Sequence, residues 1–215
     1  MRVVLLGAPG AGKGTQCMRI VDRYNLLHLS SGDILRQERA NNTELGRKAQ
    51  GYMDSGALVP DDLIVKMMAG AIKNARDGGF VLDGFPRTVN QAAELDKALE
   101  AADQKIDVVL NLVIDDQIVV DRITGRSSCP VCGRVYHIVN MKPKKAGLCD
   151  KGCGKLTQRP DDTEEVVKNR LANYHSQTEP VVGYYKKTVG VCDFNAAGAV
   201  DDISNLIFKK LDSLS

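Results

Sequence analysis

Residues Gly7 to Thr15 read GAPGAGKGT, and four of the eight positions from Gly7 to Gly14 are glycine. Residues without a Cβ let a backbone wrap an anion, so that successive N–H groups point inward. An apolar run of strand type, Arg2 to Leu6, precedes the glycines, and a helical pattern follows from Thr15 through Tyr24. A helix N-terminus adds partial positive charge at that point, and Lys13 adds a full one. The spacing fits the phosphate-loop template G-x-x-x-x-G-K-[ST], except that Gly14 stands where Ser or Thr is expected and Thr15 comes next. The chemistry implied is the gripping of phosphate, and hence of a nucleotide.

A second constellation lies further on. Cys129-x-x-Cys132 is followed by Cys149 and, after three further residues, by Cys153. Two pairs of thiols in one short segment make a metal pattern rather than a secreted disulfide framework. Four thiolates suit a closed, structural, tetrahedral zinc site, and iron or cobalt can occupy the same donors. Cys-x3-Cys is the less usual knuckle, so Asp150 and His137 stand beside Cys153 as candidates for the fourth ligand. The stretch Gly125 to Arg159 has little room for a core of its own, and a metal can supply the folding free energy that burial does not. Cys17 and Cys192 sit alone in apolar contexts and read as small core residues.

Arg36, Arg87, Arg122, Arg126, Arg159 and Arg170 fall near the ends of expected elements or beside the inserted segments. A guanidinium is a planar fork that can hold phosphate oxygens in pairs. Phosphoryl transfer leaves a protein little covalent work, so positioning and electrostatics carry it. A site rich in arginine and poor in general bases suits that chemistry.

To position these groups the chain alternates strands and helices, which argues for an α/β fold with a parallel sheet flanked by helices on both faces. Further strands are expected at Leu26–Leu29, Gly79–Leu82, Val108–Ile114 and Val191–Asn195, with a hairpin strand at Arg134–Val139. Helices are expected at Ile34–Ala40, Glu44–Met53, Asp61–Ala75, Thr88–Ala102, Asp116–Ile123 and Asp201–Leu211. A helical pattern from Thr163 to about Lys187 is expected to break or kink at Pro180. Asp83 and Arg87 then fall at the carboxyl end of a strand, where open α/β sheets bind ligands. The 29 basic residues nearly cancel 27 acidic ones, and no long basic block suggests a nucleic-acid or membrane surface. No apolar run is long enough to span a bilayer and the N-terminus is a strand rather than a signal peptide, so a cytoplasmic chain is expected.

The motifs GAPGAGKGT, SSGDILR at Ser30–Arg36, LDGFPRT at Leu82–Thr88, DRITGR at Asp121–Arg126 and RPDD at Arg159–Asp162, with the helix bearing Arg170, resemble the adenylate kinases of the long bacterial type with a metal-binding lid. The resemblance covers essentially the whole chain and accounts for Gly14, since that family carries Gly-Thr after its lysine. It implies a P-loop nucleotide kinase working as a monomer on ATP, AMP and ADP, with neither nucleic acid nor membrane as partner. The reaction would be reversible transfer of the terminal phosphoryl of Mg-ATP to AMP, giving two ADP. It implies a core at 1–29, 60–124 and 163–215, a helical AMP-binding insertion at 30–59 and a zinc-stabilised lid at 125–162.

Carried over by position, Gly10, Ala11, Gly12, Lys13, Gly14 and Thr15 would wrap the ATP phosphates. Arg122 and Arg126 would hold ATP from the lid side, with Val135, Tyr136 and the backbone of Gly198 near it. Ser31, Arg36, Ala57, Leu58, Val59, Gly84, Phe85, Pro86, Arg87 and Gln91 would form the AMP pocket, where Gln91 would read the adenine edge. Arg159 and Arg170 would bind the transferring phosphates, and Asp83 would hold the water ligands of Mg2+. Cys129, Cys132, Cys149 and Cys153 would hold the structural Zn2+.

Two positions depart from the family pattern. Its fourth metal ligand usually stands three residues after the third cysteine, where this chain has Gly152, and Asp-Gly after the last strand is replaced by Asn195-Ala196. A kinase for UMP, CMP or GMP is the nearest alternative. A guanine-reading Asn-Lys-x-Asp stretch, which a nucleotide-hydrolysing switch would need, is absent from the sequence.

Overall fold

The computed structural model describes residues 1–73 and 79–214. The strands are β1 (Arg2–Gly7), β2 (Leu27–Ser30), β3 (Phe80–Asp83), β4 (Val108–Val113), β5 (Arg126–Ser128), β6 (Val135–His137) and β7 (Val191–Asn195). The α-helices are α1 (Lys13–Tyr24), α2 (Ser31–Ala40), α3 (Glu44–Ser55), α4 (Asp61–Lys73), α5 (Val89–Glu100), α6 (Asp116–Thr124), α7 (Glu164–Asn173), α8 (Glu179–Thr188) and α9 (Val200–Asp212). Five strands form one sheet in the order β2-β3-β1-β4-β7, every pair parallel. β5 and β6 form a separate antiparallel pair.

Alternation along the strands divides the core between two faces. Val4, Leu6, Phe80, Leu82 and Val109 pack with Leu95 and Leu99 of α5, Met68 of α4 and Tyr185 of α8. Val3, Leu5, Val81, Leu110 and Leu112 pack with Ile20 of α1 and Ile203, Ile207 and Leu211 of α9. Asn111, the polar interruption in β4, is buried, and its Nδ2 donates to Asp193 Oδ1 on β7 at 2.8 Å. Among the described residues no helix is long and apolar enough to cross a membrane.

Side-chain caps start the helices where short polar residues stand. Ser30, Thr43, Thr88, Asp115 and Thr163 each accept from a backbone N–H in the first turn of α2, α3, α5, α6 and α7. Capping by Ser30 lets α2 begin at Ser31 instead of the expected Ile34. The sequence pattern of α4 extends to Ala75, and Asn74 and Ala75 lie outside the described residues. The hairpin strand is shorter than Arg134–Val139 because His137 Nδ1 accepts the N–H groups of Val139 and Asn140 and turns the chain.

The break expected at Pro180 comes earlier. Residues Tyr174–Thr178 form a π-helical turn, and Pro180 falls in the first turn of α8. The widened turn accommodates a residue that has no N–H and cannot sit in a regular helix interior. Cys17 is fully buried as expected, whereas Cys192 is only half-buried, a correction that follows from its place on the edge strand β7.

Helices α2 and α3 turn back on each other at Gly46, where an added Cβ would lie 2.3 Å from the Glu38 carbonyl oxygen. Gly46→Ala therefore costs about 2 kcal/mol or more, because backbone rather than a yielding side chain must move. Gly51→Ala, on the open side of α3 with nothing near its Cβ position, gains about 0.5–1 kcal/mol from helix propensity. Urea unfolding of the two variants checks the opposite signs.

Candidate active site

β1 delivers the chain at Gly7 into a loop that returns as α1. Gly10 has φ 73°, and a Cβ there would lie 2.8 Å from Ile123 Cγ1 of α6, so only glycine lets the loop lie against that helix. The N-cap of α1 is Gly12, in the left-handed region and without a side-chain cap. Among the described residues no side chain claims the first N–H groups of the helix, which leaves them for an anion. Lys13 curls over the loop, its Nζ donating to the carbonyls of Gly7 at 2.7 Å and Ala8 at 2.8 Å. Burial pushes the Lys13 pKa down to about 8, with Arg87 and Arg170 adding repulsion against the pull of Asp83.

Asp83 ends β3 and pairs in register with Leu5 of β1, so its carboxylate stands beside the loop. Its Oδ2 lies 3.5 Å from His28 Nε2. A Cβ on Gly14 would come within 3.5 Å of the same oxygen. The Ser or Thr of the general template would set its side chain against Asp83; glycine leaves that carboxylate open. Cys17, His28 and Asp83 bring ligand atoms within 4.8 Å of one another. Burial raises the Cys17 thiol and Lys13 sits beside it, which disfavours a cation there.

A cleft opens next to the loop. Ser31, Arg36, Ala57, Leu58, Val59, Gly84, Arg87, Gln91 and Arg170 all line it, with Asp161. Ser31 Oγ donates to the Gly84 carbonyl at 2.6 Å and Arg87 Nε to the same oxygen at 2.8 Å. Phe85 and Pro86, expected in the pocket, lie beneath it. Phe85 is buried in the apolar core and Pro86 is buried as well. Arg159 does not line the cleft, yet burial and the neighbouring Arg36 and Arg126 push its pKa down to about 10. Arg170 is likewise lowered to about 10, chiefly by burial.

Asp161 and Asp162, to which the RPDD motif by itself gives no role, both act as clamps on arginines. Arg126 meets Asp162 in a bidentate pair along one guanidinium edge, Nε donating to Oδ2 at 2.9 Å and Nη2 to Oδ1. Arg170 Nη1 donates to Asp161 Oδ2 at 2.9 Å. Arg36 is held by Asp33. Two adjacent carboxylates in RPDD, among so many arginines, were the signal available for this.

On the opposite side, Arg122 Nη2 reaches the Ala197 carbonyl at 3.4 Å. Asn195 Oδ1 accepts the N–H of Ala197 at 2.9 Å and shapes the turn that carries Gly198. Tyr136 is buried, its hydroxyl donating to Cys149 Sγ at 3.5 Å and accepting from the Asp150 N–H at 2.8 Å. Its ring belongs to the cysteine cluster, so Tyr136 has only backbone to offer a nucleotide.

The sulfurs of Cys129, Cys132, Cys149 and Cys153 all lie within 4.8 Å of one another, a donor set that fits a tetrahedral metal of zinc type. Asp150 is not part of it, because its Oδ1 accepts the Lys144 N–H at 2.8 Å. His137 is spent on Val139 and Asn140. Tyr136 heads the contacts that lower the Cys149 thiol to about 6, while hydrogen bonding to Cys132 pushes Cys153 up to about 12. Four thiols this close cannot all ionise unless a cation neutralises them.

The adenylate kinase family model matches residues 5–189. Among curated relatives, an adenylate kinase of Caldicellulosiruptor bescii is 50% identical over 187 residues, covering 86% of this chain and 87% of that protein. One of Methanothrix thermoacetophila is 47% identical over 212 residues, 98% of each chain. One of Acetivibrio thermocellus is 46% identical over 215 residues, 100% of this chain and 99% of the relative.

A lysine whose pKa is lowered by folding carries a stability cost that is complete below its folded-state value of about 8. The unfolded chain holds the proton longer, so stability recovers as pH rises from about 8 towards 10.5. Nucleotide-free Lys13→Met is therefore more stable than the parent at pH 7, and the gap narrows by pH 10. Urea unfolding at the two pH values checks both the sign and the trend.

Proposed function

This chain belongs to the adenylate kinase family of phosphotransferases, and on that premise we propose that it moves the terminal phosphoryl of ATP reversibly onto AMP, giving two ADP. One observation carries the reading: the cleft with Ser31, Arg36, Ala57–Val59, Arg87 and Gln91 opens beside the loop Gly10–Thr15, with Lys13 and Arg170 close enough to feel each other's charge. A phosphate donor on the loop and a monophosphate in the cleft would share those cations.

Gly10 to Thr15 bind the donor's phosphates through backbone N–H groups, and Arg122 and Arg126 hold it from the far side. Arg36 and Arg87 anchor the acceptor monophosphate, and Arg159 and Arg170 bracket the group in transit. In the transfer, the bond from the terminal phosphorus to its bridging oxygen breaks and a bond to an oxygen of the AMP phosphate forms. The guanidiniums and Lys13 meet the negative charge spread over the moving oxygens. Mg2+, when bound with ATP, neutralises phosphate charge, and Asp83, kept open by Gly14, would hold its water ligands. The segments 30–59 and 125–162 act as an AMP-binding domain and a lid whose closure excludes water, so that AMP rather than water accepts the phosphoryl group. Cys129, Cys132, Cys149 and Cys153 hold a structural zinc in that lid.

Two outcomes test this. Arg87→Ala lowers kcat for ADP formation from ATP and AMP by about 100-fold or more, as loss of a charge donor to the transition state requires, while circular dichroism stays unchanged. Near-parental turnover rules out the assignment. Cys132→Ser lowers zinc content, measured by elemental analysis, together with the thermal midpoint; full metal occupancy in that variant rules out the thiolate site.

A further inference from the structure

Gln91 is buried in the first turn of α5, and both ends of its amide are already held. Its Oε1 accepts the Arg87 N–H at 2.7 Å, and its Nε2 donates to Asp61 Oδ1 at 2.7 Å. The other carboxylate oxygen of Asp61 is occupied elsewhere. Oδ2 accepts from Thr88 Oγ1 and from Asn90 Nδ2, each at 2.9 Å. Thr88 in turn caps α5 by accepting the Gln91 N–H at 3.0 Å, and Thr178 Oγ1 donates to the Arg87 carbonyl at 2.9 Å. Carboxylate, amide and backbone donor are thus all fixed.

The consequence is an orientation. If the amide turned over, its N–H2 would face the Arg87 N–H and its oxygen would face the Asp61 carboxylate, losing two hydrogen bonds and gaining two repulsions. In the orientation held, one Nε2–H and one lone pair of Oε1 are left over. A donor beside an acceptor complements a base edge bearing a ring-nitrogen acceptor next to an exocyclic amino group. It mismatches a 6-oxopurine, which presents an N–H donor and an oxygen acceptor in the same places. The turned amide would have the opposite preference.

We infer that Asp61 is a positioning residue that sets which way the Gln91 amide faces, so that the cleft selects a 6-aminopurine monophosphate over a 6-oxopurine one. This rests on the reading of Gln91 as the group that meets the acceptor's base. Asp61 begins α4 and is separated only by Pro60 from Ala57–Val59, which line the same cleft, so base choice and cleft wall are tied to one carboxylate. It touches no reacting atom, and its effect on base choice runs through Gln91.

The test measures kcat and KM with AMP and with inosine monophosphate, ATP being the donor, for the parent protein, Asp61→Asn and Asn90→Ala. Asparagine is isosteric but can donate as well as accept, so it no longer dictates the facing of Gln91. The AMP-over-IMP ratio of kcat/KM falls about tenfold or more in Asp61→Asn, since a site built on buried hydrogen bonds discriminates by leaving wrong partners unpaired. The change lies in KM, raised for AMP and lowered for IMP, with kcat for AMP little altered. Asn90→Ala, which removes a different bond to Asp61, leaves the ratio at the parental value. Asp61→Ala, read by equilibrium binding of AMP and IMP, shows the same fall in discrimination should turnover of Asp61→Asn be poor. A ratio unchanged in the Asp61 variants, or AMP and IMP constants falling in parallel with stability, overturns the inference. A parent protein that uses IMP as well as AMP would instead defeat the underlying reading of Gln91.

Discussion

Cationic charge held out of water without a matching anion is the constraint on which the active site depends. Lys13, Arg87, Arg159 and Arg170 each have a lowered pKa, burial being the first cause in every case. Their mutual repulsion adds to it. With Arg36 and Arg126, which stand in the same group, six cations face the four aspartates Asp33, Asp83, Asp161 and Asp162. Phosphate oxygens complete the balance, so the same electrostatics that weaken the empty site strengthen it when nucleotides arrive.

A site under that strain needs a rigid base. The two-faced core on a parallel sheet supplies it, and the carboxyl ends of β1 and β3 meet side by side. One ends in the glycine loop, the other in Asp83. Helix caps and the close turn at Gly46 hold the helices beside the cleft in place. The aspartates behave differently from the cations: Asp162 is fully buried and grips Arg126 with both oxygens, a geometry that orients a guanidinium as well as partnering it.

The cysteine segment answers a different problem. With β5 and β6 only three residues long and a small apolar cluster built around the cysteines themselves, its local order depends on groups that repel one another when ionised. A divalent cation held there would turn that repulsion into a cross-link. Tyr136 ties β6 to the second knuckle through its hydroxyl, which meets Cys149 and Asp150, and its buried ring is unavailable to a ligand.

Local signals in the sequence determined the order of strands and helices, the glycine loop and the four-cysteine pattern, because each is encoded by residues near one another along the chain. The arginines too could be picked out by type, and most of the cleft by motif. Tertiary structure alone decided what each charge is paired with. It set Asp162 on Arg126, Asp61 on Gln91 and Asp83 against His28 and Gly14. It also sent Phe85 into the core, turned Tyr136 towards sulfur and chose Cys153 over Asp150. Such choices depend on which groups share a buried space after folding, where an unpaired charge or polar atom is costly, and that space is built from segments far apart in sequence.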